Sequence, residues 1–255
     1  MKKKYKLGVA LSGGGVKGFA HAGALQALEE FGYKPDIISG TSAGAVAGAF
    51  YVAGYTPREI CDLFKNKSFT NFTQLTIPTA GFFNPNKFID FLKAKIPYTN
   101  LEDLPIPMRV VASDLDQGQM MVFDKGPLPQ RIMASSCVPI VFPPMVIDGV
   151  HYVDGGVFCN FPVDVIRHDC EKVIGINVSP LFPSEYKQHI VDIAMRAFNF
   201  MFRANTKEDG ALCDVLVEMP EVLQYDMFDL TSIDEIYRVG YEETKRVLQE
   251  NAHLL

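Results

Sequence analysis

Paired cysteines and long apolar runs are scarce in this sequence, and each absence excludes a class of protein. The five cysteines are odd in number, widely spaced and free of any C-x-x-C pair: Cys61, Cys137, Cys159, Cys170 and Cys213. We therefore expect the reduced thiols of a cytosolic protein, and neither a disulfide framework nor a zinc site. No run of about eighteen apolar residues suggests a membrane span. The apolar run after the lysine-rich start ends at Leu11, which is too short for a secretory signal.

Positive charge is also in deficit. The 24 Lys and Arg residues against 30 Asp and Glu give a formal net charge of -6 and an isoelectric point near 5.4. Nucleic-acid-binding domains normally carry a basic face, so the sequence argues against that class. No repeat, low-complexity tract or linker divides the 255 residues, which are enough for a substantial core. We expect one domain over residues 1–255.

We expect the rest of the chain to be arranged around the segment Gly40-Thr41-Ser42-Ala43-Gly44. It fits the G-x-S-x-G pattern of a nucleophile elbow, and it lies between a short apolar run and a small-residue helical pattern. A turn this sharp strains the serine backbone and leaves room only for small residues two positions to either side. We predict that Ser42 is a nucleophile and that N–H groups of the following helix face the charge that develops beside it.

A glycine-rich segment at residues 12–18 follows the predicted first strand and has two interpretations. Its glycines fit the G-x-G-x-x-G pattern of a dinucleotide-binding loop, with Asp36 at about the right distance to bind a ribose. Asp36, however, begins the next strand rather than ending it. In the second interpretation, bare glycine N–H groups converge on one oxygen beside Ser42 as an oxyanion hole. A Walker A loop is excluded, because Lys17 is followed by Gly18 instead of Ser or Thr.

A nucleophilic serine needs a base, and the best candidate is Asp154. A predicted hairpin presents Asp154-Gly155-Gly156 at its end, and the two glycines allow a tight turn behind the carboxylate. None of the downstream histidines lies at a glycine-flanked strand end: His151, His168, His189 and His253. A Ser-His-Asp esterase that uses one of them stays open as an alternative.

Strand and helix patterns alternate along the chain, which is typical of an α/β protein with a mainly parallel sheet. The principal strands are predicted at residues 5–11, 36–39, 108–113, 172–179 and 214–219. The principal helices are predicted at residues 19–31, from 43 onward, 129–136, 190–203 and 231–251.

Four segments, in this order, resemble the four sequence blocks of the patatin-like phospholipase family: residues 12–18, 40–44, 134–139 and 154–156. The resemblance implies a three-layer α/β/α sandwich around a mainly parallel central sheet. It also implies a serine lipid acyl hydrolase with a Ser-Asp dyad and no histidine, acting on carboxylic esters of (lyso)phospholipids or related lipids. We expect no metal and no cofactor. A general carboxylesterase with a Ser-His-Asp triad and a dinucleotide-binding protein are the alternatives.

On this resemblance, Ser42 is the nucleophile and Asp154 the base. The oxyanion hole would consist of backbone N–H groups of Gly13, Gly14, Gly15 and Ala43. Six residues support the motifs: Lys17, Gly18, Gly40, Gly44, Gly155 and Gly156. Many family members have Arg in place of Lys17, and plant members have Asp in place of Ser12. Lysine keeps the charge at that position but loses the planar fork of arginine.

The substrate side is predicted from apolar residues. We expect a desolvated site with a short contact between Ser42 and Asp154, because a carboxylate of ordinary pKa is a weak base for a hydroxyl. Two sets of residues could line an acyl channel or contact a bilayer. One is the helix at 190–202, for which packing into the protein core is the favoured interpretation. The other consists of Phe69, Phe72, Phe82, Phe83, Phe88 and Phe91. The expected partner is a lipid ester and not nucleic acid. The expected location is the cytoplasm; peripheral contact with the inner face of the membrane and the oligomeric state stay open.

Overall fold

The computed structural model describes residues 3–75, 80–180 and 208–255, together with positions 189, 193, 194, 196, 197, 200 and 206. Ten strands lie in these ranges: β1 (Tyr5–Leu11), β2 (Ile37–Thr41), β3 (Gln74–Leu75), β4 (Phe83–Asn84), β5 (Met108–Asp114), β6 (Gln119–Phe123), β7 (Met145–Ile147), β8 (Val150–Asp154), β9 (Cys170–Asn177) and β10 (Val215–Glu218). The α-helices within the described ranges include α1 (Phe19–Glu30), α2 (Ala43–Val52), α3 (Pro57–Asp62), α4 (Phe69–Phe72), α5 (Asn86–Lys95), α6 (Leu128–Ser136), α7 (Asp164–Arg167) and α8 (Ile233–Asn251). The helix predicted at 190–203 lies largely outside the described residues.

The main sheet is mixed and mostly parallel. Its strand order is β10-β9-β1-β2-β5-β8-β7, with β6 paired to β5. The pairs from β10 through β9, β1 and β2 to β5 are parallel, whereas β6, β7 and β8 join by antiparallel pairing. The carboxyl ends of the parallel strands therefore share one edge of the sheet, from which the glycine loop and the Ser42 turn both leave.

Alternating side chains of the central strands fill two apolar layers. Val9, Leu11 and Ile38 point into the layer that is built with α1, α2 and α8. Ala10 and Ile37 point the other way, where the segment around α7 covers the sheet. Both faces of β1 and β2 are buried, as expected for parallel strands covered by helices on each side. The predicted α/β/α sandwich is confirmed.

Helices α1 and α8 approach each other closely enough to need glycine at the contact. A Cβ on Gly23 would lie 2.0 Å from the carbonyl oxygen of Tyr237, and one on Gly240 would lie 2.1 Å from the carbonyl oxygen of Ala20. Neither distance leaves room for a side chain, so the two backbones touch. This contact fixes α1, and with it the end of the glycine loop from which α1 begins.

Asp36 has a structural role that differs from the ribose-binding one considered above. Strand β2 begins after it, and its Oδ2 accepts hydrogen bonds from the N–H groups of Lys6 (3.0 Å) and Leu7 (2.9 Å). The carboxylate thus lies at the amino ends of β1 and β2, at the opposite end of the sheet from the glycine loop. It is used to hold the two strands together, which removes the acid that the dinucleotide interpretation requires.

Candidate active site

Ser42 occupies the tight turn between β2 and α2. Its backbone adopts φ 51° and ψ -118°, a left-handed φ that is strained for a residue with a side chain and costs on the order of 1–3 kcal/mol. Gly40 and Gly44 make the turn sterically possible. A Cβ on Gly40 would lie 2.7 Å from the Ala45 nitrogen, and one on Gly44 would lie 2.3 Å from the Leu11 carbonyl oxygen. The elbow geometry predicted for this segment is present.

Ser135, near the end of α6, holds the turn from the side. The Ser42 N–H donates to its Oγ at 2.8 Å, and that hydroxyl donates to the Val111 carbonyl at 2.5 Å. Ser135 belongs to the third of the four motif blocks, yet the sequence assigned it no role. Because the Ser42 N–H is used in this way, the next N–H of the helix, that of Ala43, is the first to lack a hydrogen-bond partner within the described residues.

Asp154 reaches Ser42 because two strands meet end to end along β5. Thr41, the last residue of β2, pairs with Val111. Asp154, the last residue of β8, pairs with the next residue, Ala112. Strands β2 and β8 run toward each other on the same edge of β5, so their final residues are neighbours. Ser42 and Asp154 are thus brought close together by backbone register.

The Asp154 carboxyl is fully buried, and the Ser42 side chain beside it is only 8% exposed. The Asp154 Oδ1 accepts a hydrogen bond from the Gly156 N–H at 2.9 Å. Burial raises the pKa of Asp154 to about 7, and the nearby Ser42 hydroxyl and the Gly156 N–H oppose that rise. Oδ2 nevertheless makes no hydrogen bond of acceptable distance and angle to the described residues. The predicted desolvation is confirmed. The Ser42 hydroxyl lies near enough to the carboxyl to lower the Asp154 pKa, and the predicted short Ser42–Asp154 contact stays a prediction.

The glycine loop lies against the same turn. A Cβ on Gly18 would lie 2.7 Å from the Ala43 Cβ, and one on Gly13 would lie 3.4 Å from the Ser42 Cβ. Gly15 has φ +61°, and a Cβ there would lie 2.6 Å from the Met227 carbonyl oxygen. At Gly13 the close approach is to Asn160, whose Oδ1 would lie 2.3 Å from a Cβ. Only glycine fits at these positions, so Asn160, the segment around Met227 and the elbow together shape the loop.

One predicted oxyanion-hole donor needs correction. The Gly13 N–H donates to the Asn160 carbonyl at 2.9 Å, so it is occupied by the fold and does not face a substrate. The N–H groups of Gly14 and Gly15 have no hydrogen-bond partner within the described ranges. Together with the Ala43 N–H they leave three candidate donors on the Ser42 side of the loop.

The other motif residues have structural positions. Lys17 is half-buried in the 3₁₀ turn at Gly15–Gly18. Gly155 packs on β5, where a Cβ would lie 2.3 Å from the Val111 carbonyl oxygen, and Gly156 supplies the N–H that binds Asp154. Among the described residues no group of three His, Cys, Asp or Glu side chains could hold a metal ion.

His21 was absent from the histidines considered from the sequence, and it is the one next to the loop. It is buried, and its Nε2 donates to the Ser12 carbonyl at 2.7 Å. Burial lowers the pKa of His21 to about 4, so the ring is neutral and acts as a support for the loop. His151 is exposed and pairs with Asp116. In the described chain no histidine hydrogen-bonds Ser42, which removes the support for a Ser-His-Asp triad.

An apolar cavity of about 180 Å³ opens beside Ser42 and Ala43. Seven phenylalanines contribute to its wall: Phe19, Phe64, Phe69, Phe72, Phe88, Phe142 and Phe228. Of the six predicted from the sequence, Phe69, Phe72 and Phe88 line the cavity. Phe82 is 40% exposed, Phe83 packs on Phe69, and Phe91 packs within an aromatic cluster beside Phe64. The walls added by Phe142 and Phe228 come from distant parts of the chain that local patterns do not connect.

Comparison with known proteins agrees with this geometry. A family model described as patatin-like phospholipase matches residues 9–167, which contain all four motif blocks. The chain belongs to this family. An NTE family protein of Mycobacterium tuberculosis is 37% identical over 189 residues, which cover 70% of this chain and 51% of that protein. Lysophospholipase NTE1 of Meyerozyma guilliermondii is 25% identical over 268 residues, covering 92% of this chain and 19% of that protein. The chain thus spans about half, or less, of the length of these relatives.

The fold of the family is also seen in a solved structure. VipD from Legionella pneumophila superposes with a TM-score of 0.60 at 15% identity, covering 97% of this chain and 67% of that protein. At this identity the likeness concerns the fold. In the described part of the chain, no helix has the length and apolar character needed to cross a bilayer.

Proposed function

We propose that this chain hydrolyses carboxylic esters of lipids, with Ser42 as the nucleophile and Asp154 as the base. The observation that carries the proposal is the end-to-end meeting of β2 and β8 on β5, which brings a strained serine and a buried carboxyl together. The N–H groups of Gly14 and Gly15, which have no hydrogen-bond partner among the described residues, lie on the same side. The apolar cavity that opens at Ser42 supports an acyl chain as the part of the substrate that is bound.

The mechanism follows from these positions as a two-step acyl transfer. Asp154 in its ionised form accepts the Ser42 proton as Oγ attacks the ester carbonyl, and the N–H groups of Gly14, Gly15 and Ala43 bind the resulting oxyanion. When the tetrahedral intermediate collapses, the alcohol leaves with the proton from Asp154, and an acyl-serine remains. A water molecule that gives its proton to Asp154 then attacks the acyl carbonyl. The fatty acid is released and Ser42 regains its proton.

The environment of Asp154 suits this role. A pKa raised to about 7 makes the carboxylate a stronger base than an ordinary aspartate, yet leaves part of it ionised at neutral pH. Burial has the second effect of excluding water, which strengthens the interaction of the N–H groups with the oxyanion. The dyad therefore needs no imidazole to move the proton.

Lysophospholipids and phospholipids are the substrates that we propose. The apolar cavity beside Ser42, with its aromatic walls, accommodates one acyl chain and leaves a polar headgroup outside. The likeness to lysophospholipase NTE1 of Meyerozyma guilliermondii supports a monoacyl substrate. Such lipids reside in membranes and micelles, so the proposal includes contact of the enzyme with a lipid–water interface.

Incubation with a panel of monoacyl, diacyl and neutral lipid esters, followed by mass spectrometry of the released fatty acids, tests the proposal. We expect fatty acid release by the wild-type chain and none by Ser42→Ala, which serves as the blank. Ser39→Ala is a matched control, because Ser39 is another buried serine of the same strand–turn region, whose hydroxyl donates to the Pro162 carbonyl. Equal release by wild type and Ser42→Ala would refute the assignment. Preference for short water-soluble esters over all lipids would favour a general carboxylesterase.

A further inference from the structure

The carbonyl oxygen of Gly13 is surrounded by side-chain donors. It accepts hydrogen bonds from the hydroxyl of Ser179 at 2.9 Å, from the hydroxyl of Ser12 at 3.3 Å and from the amide Nδ2 of Asn160 at 3.4 Å. All three side chains are buried, and the shortest of the three bonds comes from Ser179. Three donors on one backbone oxygen is more than a loop needs to stay satisfied, since one partner suffices for most buried carbonyls.

Ser179 is itself held by a chain of hydrogen bonds that begins at the edge of the sheet. Glu218, the last residue of β10, accepts from the Asn177 side-chain amide at 2.9 Å. The Oδ1 of the same Asn177, the last residue of β9, accepts from the Ser179 N–H at 3.0 Å. The ends of two strands therefore fix the position from which the Ser179 hydroxyl reaches the glycine loop.

The geometry of a peptide unit carries this restraint to the active site. In a trans peptide the carbonyl of Gly13 and the N–H of Gly14 point in opposite directions within one plane. Ser179 continues from β9, on one side of β1, and Asn160 belongs to the segment that covers the face of the sheet opposite α2. Ser42 continues from β2, on the other side of β1. Holding the carbonyl toward Ser179 and Asn160 therefore turns the Gly14 N–H toward Ser42.

We propose that Ser179 is a positioning residue that orients the Gly14 N–H for oxyanion binding by holding the Gly13 carbonyl. The inference rests on the proposed function, because it assigns a purpose to the loop within the same acyl transfer. Ser179 lies beyond the residues 9–167 matched by the family model, and no motif in the sequence marked it.

The test compares Ser179→Ala with wild type on a p-nitrophenyl ester of a medium-chain fatty acid. Loss of one oxyanion donor costs about 10²–10³ in kcat in a serine hydrolase, and misorientation of one of three donors should cost less. We expect kcat to fall by about 10- to 100-fold with KM within about twofold, since the apolar cavity is untouched. Ser39→Ala is the matched control: it also removes a buried hydroxyl that donates to a carbonyl, at 2.6 Å, and we expect it to keep its kcat.

A pair of inhibitors separates orientation of the loop from a general loss of structure. A trifluoromethyl ketone with an alkyl chain forms a tetrahedral oxyanion on Ser42, whereas an n-alkane of the same chain length has no acceptor and only fills the cavity. Ser179→Ala should weaken binding of the ketone by about the same factor as kcat and leave binding of the alkane unchanged. Ser179→Cys, with a similar shape and a weaker donor, should fall between wild type and Ser179→Ala, and it replaces Ser179→Ala if that variant does not fold.

Two results would overturn the inference. One is wild-type kcat and ketone affinity in Ser179→Ala, or in Ser179→Cys if only that variant folds. The other is an equal loss of affinity for ketone and alkane, which would indicate a damaged cavity. In either case an inactive Ser42→Ala variant would leave the proposed function standing, whereas an active one would remove the function itself.

Discussion

The raised pKa of Asp154 has a consequence for stability that can be measured independently of any substrate. The ordinary pKa of an aspartate is 3.8, and burial raises the pKa of Asp154 to about 7 in the folded protein. The folded state therefore binds a proton more tightly than the unfolded state between these two values. The stabilisation from this proton is fully present below pH 3.8 and is lost as the pH rises through about 7. Above that pH the protein holds a charged carboxylate in a desolvated site.

Asp154→Asn isolates this effect, because asparagine has nearly the same shape and does not titrate. One pKa unit corresponds to about 1.36 kcal/mol, so between pH 5 and pH 8 the wild type should lose about 2–3 kcal/mol of unfolding free energy relative to Asp154→Asn. Urea denaturation of both proteins at several pH values measures the difference. Asp209, whose pKa burial also raises to about 7, is present in both proteins, and its contribution cancels.

The same pair of proteins tests the catalytic role. Only ionised Asp154 accepts the Ser42 proton, so kcat/KM of the wild type should rise with pH to a plateau, with a midpoint near the Asp154 pKa of about 7. Asp154→Asn should be inactive across the range while it gains relative stability at high pH. A stability difference between the two proteins that does not change from pH 5 to pH 8 would show that Asp154 titrates normally, and the reasoning about its burial would be wrong.

Three further substitutions have expected outcomes. Gly15→Ala forces a side chain into a left-handed φ close to the Met227 backbone. It should lower the unfolding free energy, measured by urea denaturation, by at least about 1–2 kcal/mol and abolish turnover in an ester assay. Normal values in both measurements would contradict the loop geometry. Ser135→Ala removes the acceptor of the Ser42 N–H. It should lower the unfolding free energy by about 1–3 kcal/mol and reduce kcat more than it changes KM. An unchanged kcat would show that the turn does not need this support. Ala47→Phe places a large side chain where α2 lines the cavity and should shift the preference toward esters with shorter acyl chains. A series of p-nitrophenyl esters measures this preference. An unchanged preference would mean that the acyl chain lies elsewhere.

Local stereochemistry explains which parts of the site could be predicted from the sequence. The Ser42 turn was predictable because the need for Gly40 and Gly44 arises within the turn and its immediate neighbours. The position of Asp154 was predictable as a strand end followed by two glycines. Its burial followed from the chemistry that a serine and an acid require, but its alignment with Ser42 depends on the register of β2 and β8 on β5, which no local pattern encodes.

The errors and omissions concern contacts between distant segments. Gly13 was predicted as an oxyanion donor because a bare glycine is free to donate, but the backbone of Asn160, far along the chain, occupies its N–H. His21 and Ser135 are supports whose partners are backbone atoms elsewhere, and such bonds have no sequence signature. Asp36 satisfied a spacing rule for ribose binding while its carboxylate was already used at the start of β1.

The meeting of β2 and β8 along β5 also predicts which insertions the site tolerates. The positions of Ser42 and Asp154 depend on the pairing register of β2 and β8 with β5. A residue added within β8 would therefore turn Asp154 to the opposite face of the sheet. The turn at Asp148 and Gly149, where both residues have positive φ, precedes β8 and does not affect its register with β5. Homologous chains can therefore vary the tip of this hairpin freely, while the strand that follows it must keep its length to the residue.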